Sequence, residues 1–184
     1  MNPRSVSAVL VTKGDHDLSE ITDSISAAGV TDIVVWNNAE RENLMCYGRY
    51  AGIADARNEF IYHQDDDCVV PVADIIAAYD SRTDIAGIVA NNREEEEWPL
   101  TGLGSVFHRS LADASFDRYI ELFGYDEHFL RTCDVVFASQ HPYRKIVLGY
   151  RELEWSRAPD RMYLQPGHMA ARELTLARMQ ALAA

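Results

Sequence analysis

The 184-residue sequence lacks the features that mark membrane proteins and disulfide-rich secreted proteins. No apolar run approaches the roughly 18 residues that a membrane-spanning helix needs, and the first residues contain no apolar signal-peptide core. Its three cysteines, at positions 46, 68 and 133, are odd in number and far apart, so neither a disulfide framework nor a zinc knuckle is indicated. We therefore expect a protein of the reducing cytoplasm.

Lysine is almost absent, and the net charge is far from zero. Lysine occurs only at positions 13 and 145, so arginine, which favours bidentate phosphate contacts, supplies nearly all the positive charge. Residues 1–134 carry 10 Lys and Arg against 25 Asp and Glu, whereas residues 135–184 carry 7 against 4, within a net charge of -12. A basic tail behind an acidic body could close over an anionic ligand, or the asymmetry could be chance.

The remaining composition, with 47% apolar and 25% charged residues, is that of one globular domain spanning residues 1–184. Apolar runs at residues 5–12 and 33–36 predict strands, and the helical spacing of Leu18, Ile21 and Ile25 predicts a helix between them that stops at Gly29. This rhythm predicts an α/β fold with a mostly parallel sheet and helices on both faces. Further helices are expected near 51–57, 72–79, from 110, at 133–138 and at 169–182. Further strands are expected from residue 60 up to the aspartates at 65–67, and at 85–90, 105–108 and 146–148.

Three consecutive carboxylates, Asp65, Asp66 and Asp67, follow the strand that begins at Phe60. Neighbouring aspartates repel one another, so a folded chain keeps them together in water or around a cation. Ligands of open α/β sheets bind at the C-terminal ends of the strands, and oxygen clusters there suit Mg²⁺ or Mn²⁺, which can hold a diphosphate. The alternative is a solvated acidic turn.

Other polar side chains are expected near this cluster. Thr12 and Asn37 end the first two strands, and Arg57 could reach a phosphate or ribose. Asp134, beside an apolar stretch, either pairs with an arginine or is a base with a raised pKa. His168 could be a metal ligand, a phosphate donor or a structural residue. A polar loop carrying Arg157 and Arg161 could fold over a diphosphate, and the acidic run at residues 94–97 is either a mobile lid or a solvated surface.

These segments together resemble GT-A glycosyltransferases and combine features of family 2 with those of exostosin-type enzymes. The resemblance covers residues 5–140. Residues 34–38 are similar to the exostosin-type second strand, and residues 56–58 followed by 65–67 resemble the family-2 A-R-N segment and D-x-D motif. Residues 100–109 resemble the exostosin-type acceptor stretch, residues 124–127 the family-2 GxDE segment, and residues 133–134 the position of a Glu-Asp pair.

The resemblance implies a single GT-A domain that transfers sugar from a nucleotide-sugar, such as a UDP-sugar, to an acceptor hydroxyl. Residues 1–90 would form the nucleotide-sugar half, and residues 91–184 the acceptor half. Asp65 would contact the ribose and Asp67 would bind Mn²⁺ or Mg²⁺, with His168 completing the metal site. Asp134 would be the base in an inverting reaction. The nucleotide-binding set would be Thr12, Asn37, Arg57, Asp65 and Asp66, the phosphate-binding pair Arg157 and Arg161, and the acceptor-binding pair Thr101 and Gly102.

Two departures from the family pattern matter. Position 133 is cysteine rather than an acid, and the chain is short for this fold. Exostosin-type enzymes retain configuration whereas family-2 enzymes invert it, so both outcomes stay open. The rival hypotheses are a receiver domain, a nucleotidyltransferase and a silent nucleotide- or metal-binding module. Extra length argues against the first, and the single glycine of residues 12–15 argues against the second.

The acceptor is open between DNA and smaller molecules. Small enzymes of this kind include phage and base-J-type proteins that glucosylate hydroxymethylated pyrimidines in DNA, and such a protein would act in the host cytoplasm. Trp98 and Trp155 are candidates for stacking on a base. The acidic net charge argues against a DNA acceptor, because DNA affinity comes largely from phosphate neutralisation. A glycan, a small molecule or a lipid-linked acceptor is the alternative.

Overall fold

The computed structural model describes residues 1–96 and 98–183, so Glu97, part of the predicted acidic loop, lies outside it, as does Ala184. Strands and helices alternate along the first half of the chain. Its elements are β1 (Val6–Thr12), α1 (Ser19–Ala27), β2 (Asp32–Asn37), α2 (Gly48–Ala51), β3 (Phe60–Gln64), β4 (Cys68–Val69), α3 (Val72–Ala78) and β5 (Ile88–Asn91). All of β1 is buried, which explains why the sequence shows a continuous apolar run there rather than alternation.

Helices dominate the second half. Its elements are β6 (Ser105–His108), α4 (Arg109–Ser115), α5 (Asp117–Phe123), α6 (Glu127–Ser139), β7 (Tyr143–Ile146), β8 (Arg151–Glu152) and α7 (His168–Ala183). Asp126 caps α6 by accepting a hydrogen bond from the Phe129 backbone N–H at 3.0 Å. No helix in the described part of the chain is long and apolar enough to cross a membrane.

Six strands form one mixed sheet in the order β2-β1-β3-β6-β5-β7, and β4 pairs with β8 in a separate two-stranded ribbon. Strand β1 is parallel to both β2 and β3, and β5 is parallel to β7, whereas β6 is antiparallel to both its neighbours. Because β1, β2 and β3 are parallel, their C-terminal ends share one edge of the sheet. The residue pair Thr12 and Asn37 and the start of the aspartate cluster therefore lie along that edge.

Apolar side chains cover both faces of the sheet. On one face, Val9, Ile61 and Phe107 pack in a cluster with residues of α4, α5 and α6. On the other face, Leu10 and Tyr62 pack in a cluster with apolar residues of α1 and α3. The predicted α/β class, with a mostly parallel sheet and helices on both faces, is confirmed.

Several predicted boundaries are wrong. The strand expected at residues 146–148 lies at Tyr143–Ile146, whereas the strand that precedes the aspartates ends at Gln64, as predicted. The helix expected near 51–57 begins at Gly48 and becomes a 3-10 helix over Gly52–Asp55. The ribbon of β4 and β8 and the helix α5 have no counterpart in the prediction.

Candidate active site

A cavity of about 560 Å³ opens at the C-terminal ends of β1 and β3. Its volume falls within the range of ligand sites in proteins. Most of the predicted site residues line it, and the rest of its wall comes from segments spread along the chain, including residues 43–49, 93–103 and the C-terminal quarter. The predicted residues among its lining are Thr12, Asp65, Asp66, Asp67, Gly102, Asp134, Arg161 and His168.

Asp65 is held by an arginine and by a glycine. Arg49 Nη2 lies 2.5 Å from Asp65 Oδ1, and the Asp65 backbone N–H donates to the Gly102 carbonyl at 2.7 Å. A Cβ at position 102 would lie 1.9 Å from Asp65 Oδ2, so the carboxylate occupies space that only a glycine leaves free. Gly102, predicted to bind the acceptor, therefore has a structural role beside Asp65.

Asp66 points into the protein toward the C-terminal segment. Its Oδ1 accepts a hydrogen bond from Arg161 Nη1 at 3.1 Å, and its backbone carbonyl accepts one from Trp155 Nε1 at 2.9 Å. Burial raises the pKa of Asp66, and the charge of Arg161 partly offsets this effect. The predicted phosphate ligand Arg161 is thus already paired through Nη1, and its buried Nη2 has no hydrogen-bond partner in the described part of the chain.

Asp67 has a carboxylate with no hydrogen-bond or salt-bridge partner among residues 1–96 and 98–183. Its backbone carbonyl accepts a hydrogen bond from the Leu153 N–H at 2.8 Å, which ties the aspartate turn to the end of β8. Burial, followed by the charges of Asp65 and Asp66, raises the pKa of Asp67 to about 7. Asp67 is therefore the carboxyl group of the cluster that no arginine of the described ranges pairs.

The donor set fits a divalent cation that is shared with a ligand. Among the described residues no group of three or more His, Cys, Asp or Glu side chains is arranged to hold a metal by itself. Mg²⁺ commonly binds one or two protein carboxylates and takes its other ligands from phosphates and water, and a lone unpaired Asp67 suits that mode. Asp67 and His168 both line the cavity, and the prediction that these two residues share the metal stays a prediction.

His168 begins α7 and faces the charges of α6. Burial lowers its pKa, and the charge of Arg172 lowers it further. Its ring is largely buried, and Nδ1 has no hydrogen-bond partner within the described ranges. His168 therefore lies in the wall of the cavity in the part that also holds Asp134.

Asp134 is paired with an arginine, so the alternative of a raised pKa is wrong. Asp134 Oδ2 accepts a hydrogen bond from Arg172 Nη1 at 2.8 Å. Burial alone would raise its pKa, but the charge and the hydrogen bond of Arg172 outweigh burial and lower it. Its other oxygen, Oδ1, is buried and has no partner among the described residues. Asp134 is thus a carboxylate that Arg172 pairs through one oxygen, while its other oxygen has no hydrogen-bond partner in the described ranges.

Four predicted site residues do not line the cavity. Arg57 is 85% exposed beside Asp32, and Arg157 is 78% exposed and pairs with Glu152. Asn37 Oδ1 accepts the Ala39 backbone N–H at 2.9 Å, so it stabilises the turn after β2. Thr101 is completely buried. These four side chains lie outside the lining of the cavity, and their predicted binding roles stay predictions.

The sequence did not reveal four arginines that line the cavity, namely Arg49, Arg93, Arg131 and Arg172. Arg49 replaces Arg57 as the basic residue that precedes the aspartates, because the helical turns over residues 48–55 direct it, and not Arg57, toward Asp65. Arg172 is the partner of Asp134. Helical spacing was the available signal for Arg172, since it lies one turn after His168, but no local feature distinguishes Arg49 from its neighbours.

Comparison with known proteins identifies the fold. No protein-family model matches the chain, and no curated protein sequence does. Solved structures do match: a mannosyltransferase from Pyrobaculum calidifontis in complex with GDP-Man and Mn²⁺ has a TM-score of 0.59 at 14% identity. That match covers 95% of this chain and 64% of the mannosyltransferase.

A second solved structure agrees. Glucosyl-3-phosphoglycerate synthase from Mycobacterium tuberculosis, in complex with Mn²⁺, UDP-glucose and phosphoglyceric acid, has a TM-score of 0.53 at 12% identity, over 96% of this chain and 78% of that protein. Both are GT-A glycosyltransferases. The chain therefore has the GT-A fold, and it spans about two thirds of the length of the mannosyltransferase.

Proposed function

We propose that this protein is a metal-dependent glycosyltransferase that moves a sugar from a nucleotide-sugar, such as a UDP-sugar, to an acceptor hydroxyl. The observation that carries the proposal is the unpaired carboxylate of Asp67, which lies in the cavity at the strand ends of a GT-A fold. The solved relatives hold Mn²⁺ with a nucleotide-sugar at 12–14% identity, which supports the same class of donor here.

On the donor side, Thr12, Asp65 and Asp66 would bind the nucleotide, and Asp67 would hold Mn²⁺ or Mg²⁺. When bound, the cation neutralises charge on the departing diphosphate. The buried Nη2 of Arg161 would bind the same phosphates while Nη1 stays on Asp66. Arg49 keeps Asp65 oriented for the ribose.

On the acceptor side, Asp134 Oδ1 would accept a hydrogen bond from the acceptor hydroxyl. In an inverting reaction the acceptor oxygen bonds to the anomeric carbon, the hydroxyl proton passes to Asp134, and the bond to the diphosphate breaks with its electron pair on the leaving oxygen. Because Arg172 lowers the pKa of Asp134, this carboxylate is a weak base. It would take the proton as the leaving-group bond breaks, when the hydroxyl has become more acidic.

The acceptor could be a hydroxymethyl-pyrimidine in DNA, a glycan or a small molecule. Trp98 lines the cavity and is half-buried, so it is available to stack on a ring. Trp155 is not available in the same way, because it stacks on His16 at 4.8 Å. The alternative to an enzyme is a binding module that holds nucleotide and metal without turnover.

Nucleotide release from UDP-glucose and GDP-mannose, measured with and without Mn²⁺, tests the proposal. We expect Mn²⁺-dependent release, and we expect Asp67→Asn to reduce it about a hundredfold or more, as for other losses of transition-state charge stabilisation. Asp113→Asn, which makes the same change on the exposed face of α4, is the matched control. Metal-dependent nucleotide binding without release would favour the binding module, and the absence of both would refute the proposed function.

A further inference from the structure

The packing of α6 against α7 places two arginines and one carboxylate in one corner of the cavity. Arg131 and Asp134 are three residues apart on α6, so they share a helix face, and Arg172 reaches Asp134 from α7. All three line the cavity. The aspartate cluster lies at the strand ends, where different arginines pair with its first two carboxylates, Arg49 with Asp65 and Arg161 with Asp66.

The two arginines of this corner carry two positive charges, and Asp134 supplies one negative charge to neutralise them. Asp134 neutralises Arg172, whereas the partner of Arg131 is Glu127, which lies 3.7 Å away and is 69% exposed. A surface pair of that kind contributes little. The Nη2 atoms of Arg131 and Arg172 are both buried and have no hydrogen-bond partner in the described part of the chain. The whole Arg172 side chain is only 9% exposed, so water cannot readily replace the missing partner.

Buried guanidinium N–H groups are costly to leave unpaired, and the fork geometry of arginine matches carboxylate and phosphate oxygens. We propose that Arg131 and Arg172 form an anion subsite that binds a carboxylate or phosphate group of the acceptor. The acceptor would then be a small hydroxy compound with one such anionic group. This inference rests on the proposed function, because Asp134 Oδ1 in the same corner is the group assigned to the acceptor hydroxyl.

The geometry favours a small anion over the backbone of DNA. The Arg172 side chain is nine-tenths buried between two helices, where the phosphates of a duplex cannot approach it. The net charge of -12 also opposes a polyanion, whereas a single anionic group inside the cavity meets the local positive excess.

Binding of three-carbon probes by calorimetry, in the presence of Mn²⁺ and UDP, tests the subsite. The probes are glycerol 3-phosphate, glycerate and glycerol, which share a hydroxyl-bearing chain and differ in the anionic group. We expect at least one of the two anions to bind and glycerol not to bind. Arg131→Gln should weaken the anion roughly tenfold to a hundredfold, the value of hydrogen bonds to a charged group, and Arg131→Lys should weaken it less.

Arg118→Gln is the matched control, because Arg118 is 67% exposed and pairs with Glu121 on the surface of α5. Mn²⁺-dependent binding of UDP should be unchanged in Arg131→Gln. If wild type binds UDP and Mn²⁺ but neither anion, or if Arg131→Gln binds the anion as well as Arg118→Gln does, the subsite is refuted while the proposed function stands. If UDP and Mn²⁺ do not bind but the Arg131-dependent anion does, the proposed function fails and the anion site stands. Transfer to a hydroxymethyl-pyrimidine duplex in preference to both anions would overturn the small acceptor.

Discussion

Replacing Gly102 by alanine tests whether the position of Asp65 depends on a missing side chain. A Cβ at Gly102 would lie 1.9 Å from Oδ2, 2.5 Å from Cγ and 2.8 Å from Oδ1 of Asp65. The backbone of Gly102 is outside the left-handed region, so alanine introduces no backbone strain of its own. The expected effect is therefore steric, and it acts on one carboxylate.

The carboxylate can avoid the new methyl group only by rotating away from Arg49. The Arg49 side chain is 5% exposed, and its Nε already lacks a partner among the described residues. Breaking a fully buried ion pair costs about 3–5 kcal/mol. Because Asp65 is 40% exposed, water can solvate the displaced carboxylate, and we expect Gly102→Ala to cost about 2 kcal/mol of unfolding free energy.

Urea unfolding of a double-mutant cycle measures this coupling. Gly102→Ala should lower the midpoint of unfolding with an unchanged slope. In an Asp65→Ala background, where the carboxylate is gone, the same substitution should cost less than about 0.5 kcal/mol. Equal costs in the two backgrounds would refute the reasoning, because the clash would then lie elsewhere.

Two further substitutions test the core around the site. His63 is fully buried beside Tyr50 and Phe107, and burial lowers its pKa, so the unfolded state binds the proton more tightly. The contribution of His63 to stability should be complete above about pH 6.5 and fall below it by up to about 1.4 kcal/mol per pH unit, so His63→Leu should lose less stability than wild type between pH 6.5 and pH 5.5. Urea unfolding at pH 7.5, 6.5 and 5.5 measures it, and an unchanged acid slope would count against this account. Gly48→Ala places a Cβ 2.4 Å from Trp36 Cδ1, so a loss of about 1–3 kcal/mol is expected in thermal unfolding followed by Trp fluorescence, and an unchanged Tm would contradict it.

The strands with an uninterrupted apolar run could be predicted closely: β1 is buried throughout, and β2, which is half-buried at the sheet edge, has four apolar residues in succession. Residues 5–12 and 33–36 were assigned almost to the residue as β1 and β2. Strand β7 could not be predicted from an apolar run, because the middle of Tyr143–Ile146 consists of two exposed basic residues. The apolar residues after it misled the prediction: Val147 and Leu148 are 51% and 42% exposed.

The candidate site was predictable where position along the chain fixes position in space. The aspartates follow β3 directly, so the sheet places them at the strand ends. Arginines reach the site on long side chains from elements whose turns the sequence pattern does not specify. For that reason Arg57 was predicted where Arg49 lies, and Arg157 was predicted together with Arg161, although the 3-10 helix over Glu154–Arg157 leaves it at the surface.

The predicted division into a nucleotide-sugar half and an acceptor half stays a prediction, and the basic tail supplies arginines to carboxylates on both sides of it. Six acidic and six basic side chains line the cavity. Asp66 from the first half is paired by Arg161, and Asp134 is paired by Arg172, both from the basic tail. Without residues 135–184, the largely buried carboxylates of Asp66 and Asp134 would have no arginine partner. We therefore expect the site to need this segment in order to form. Part of the charge asymmetry of the sequence thus reflects ion pairs between tail arginines and buried carboxylates. Asp67 has no such partner in the described ranges, so its negative charge is the one that a bound cation would neutralise.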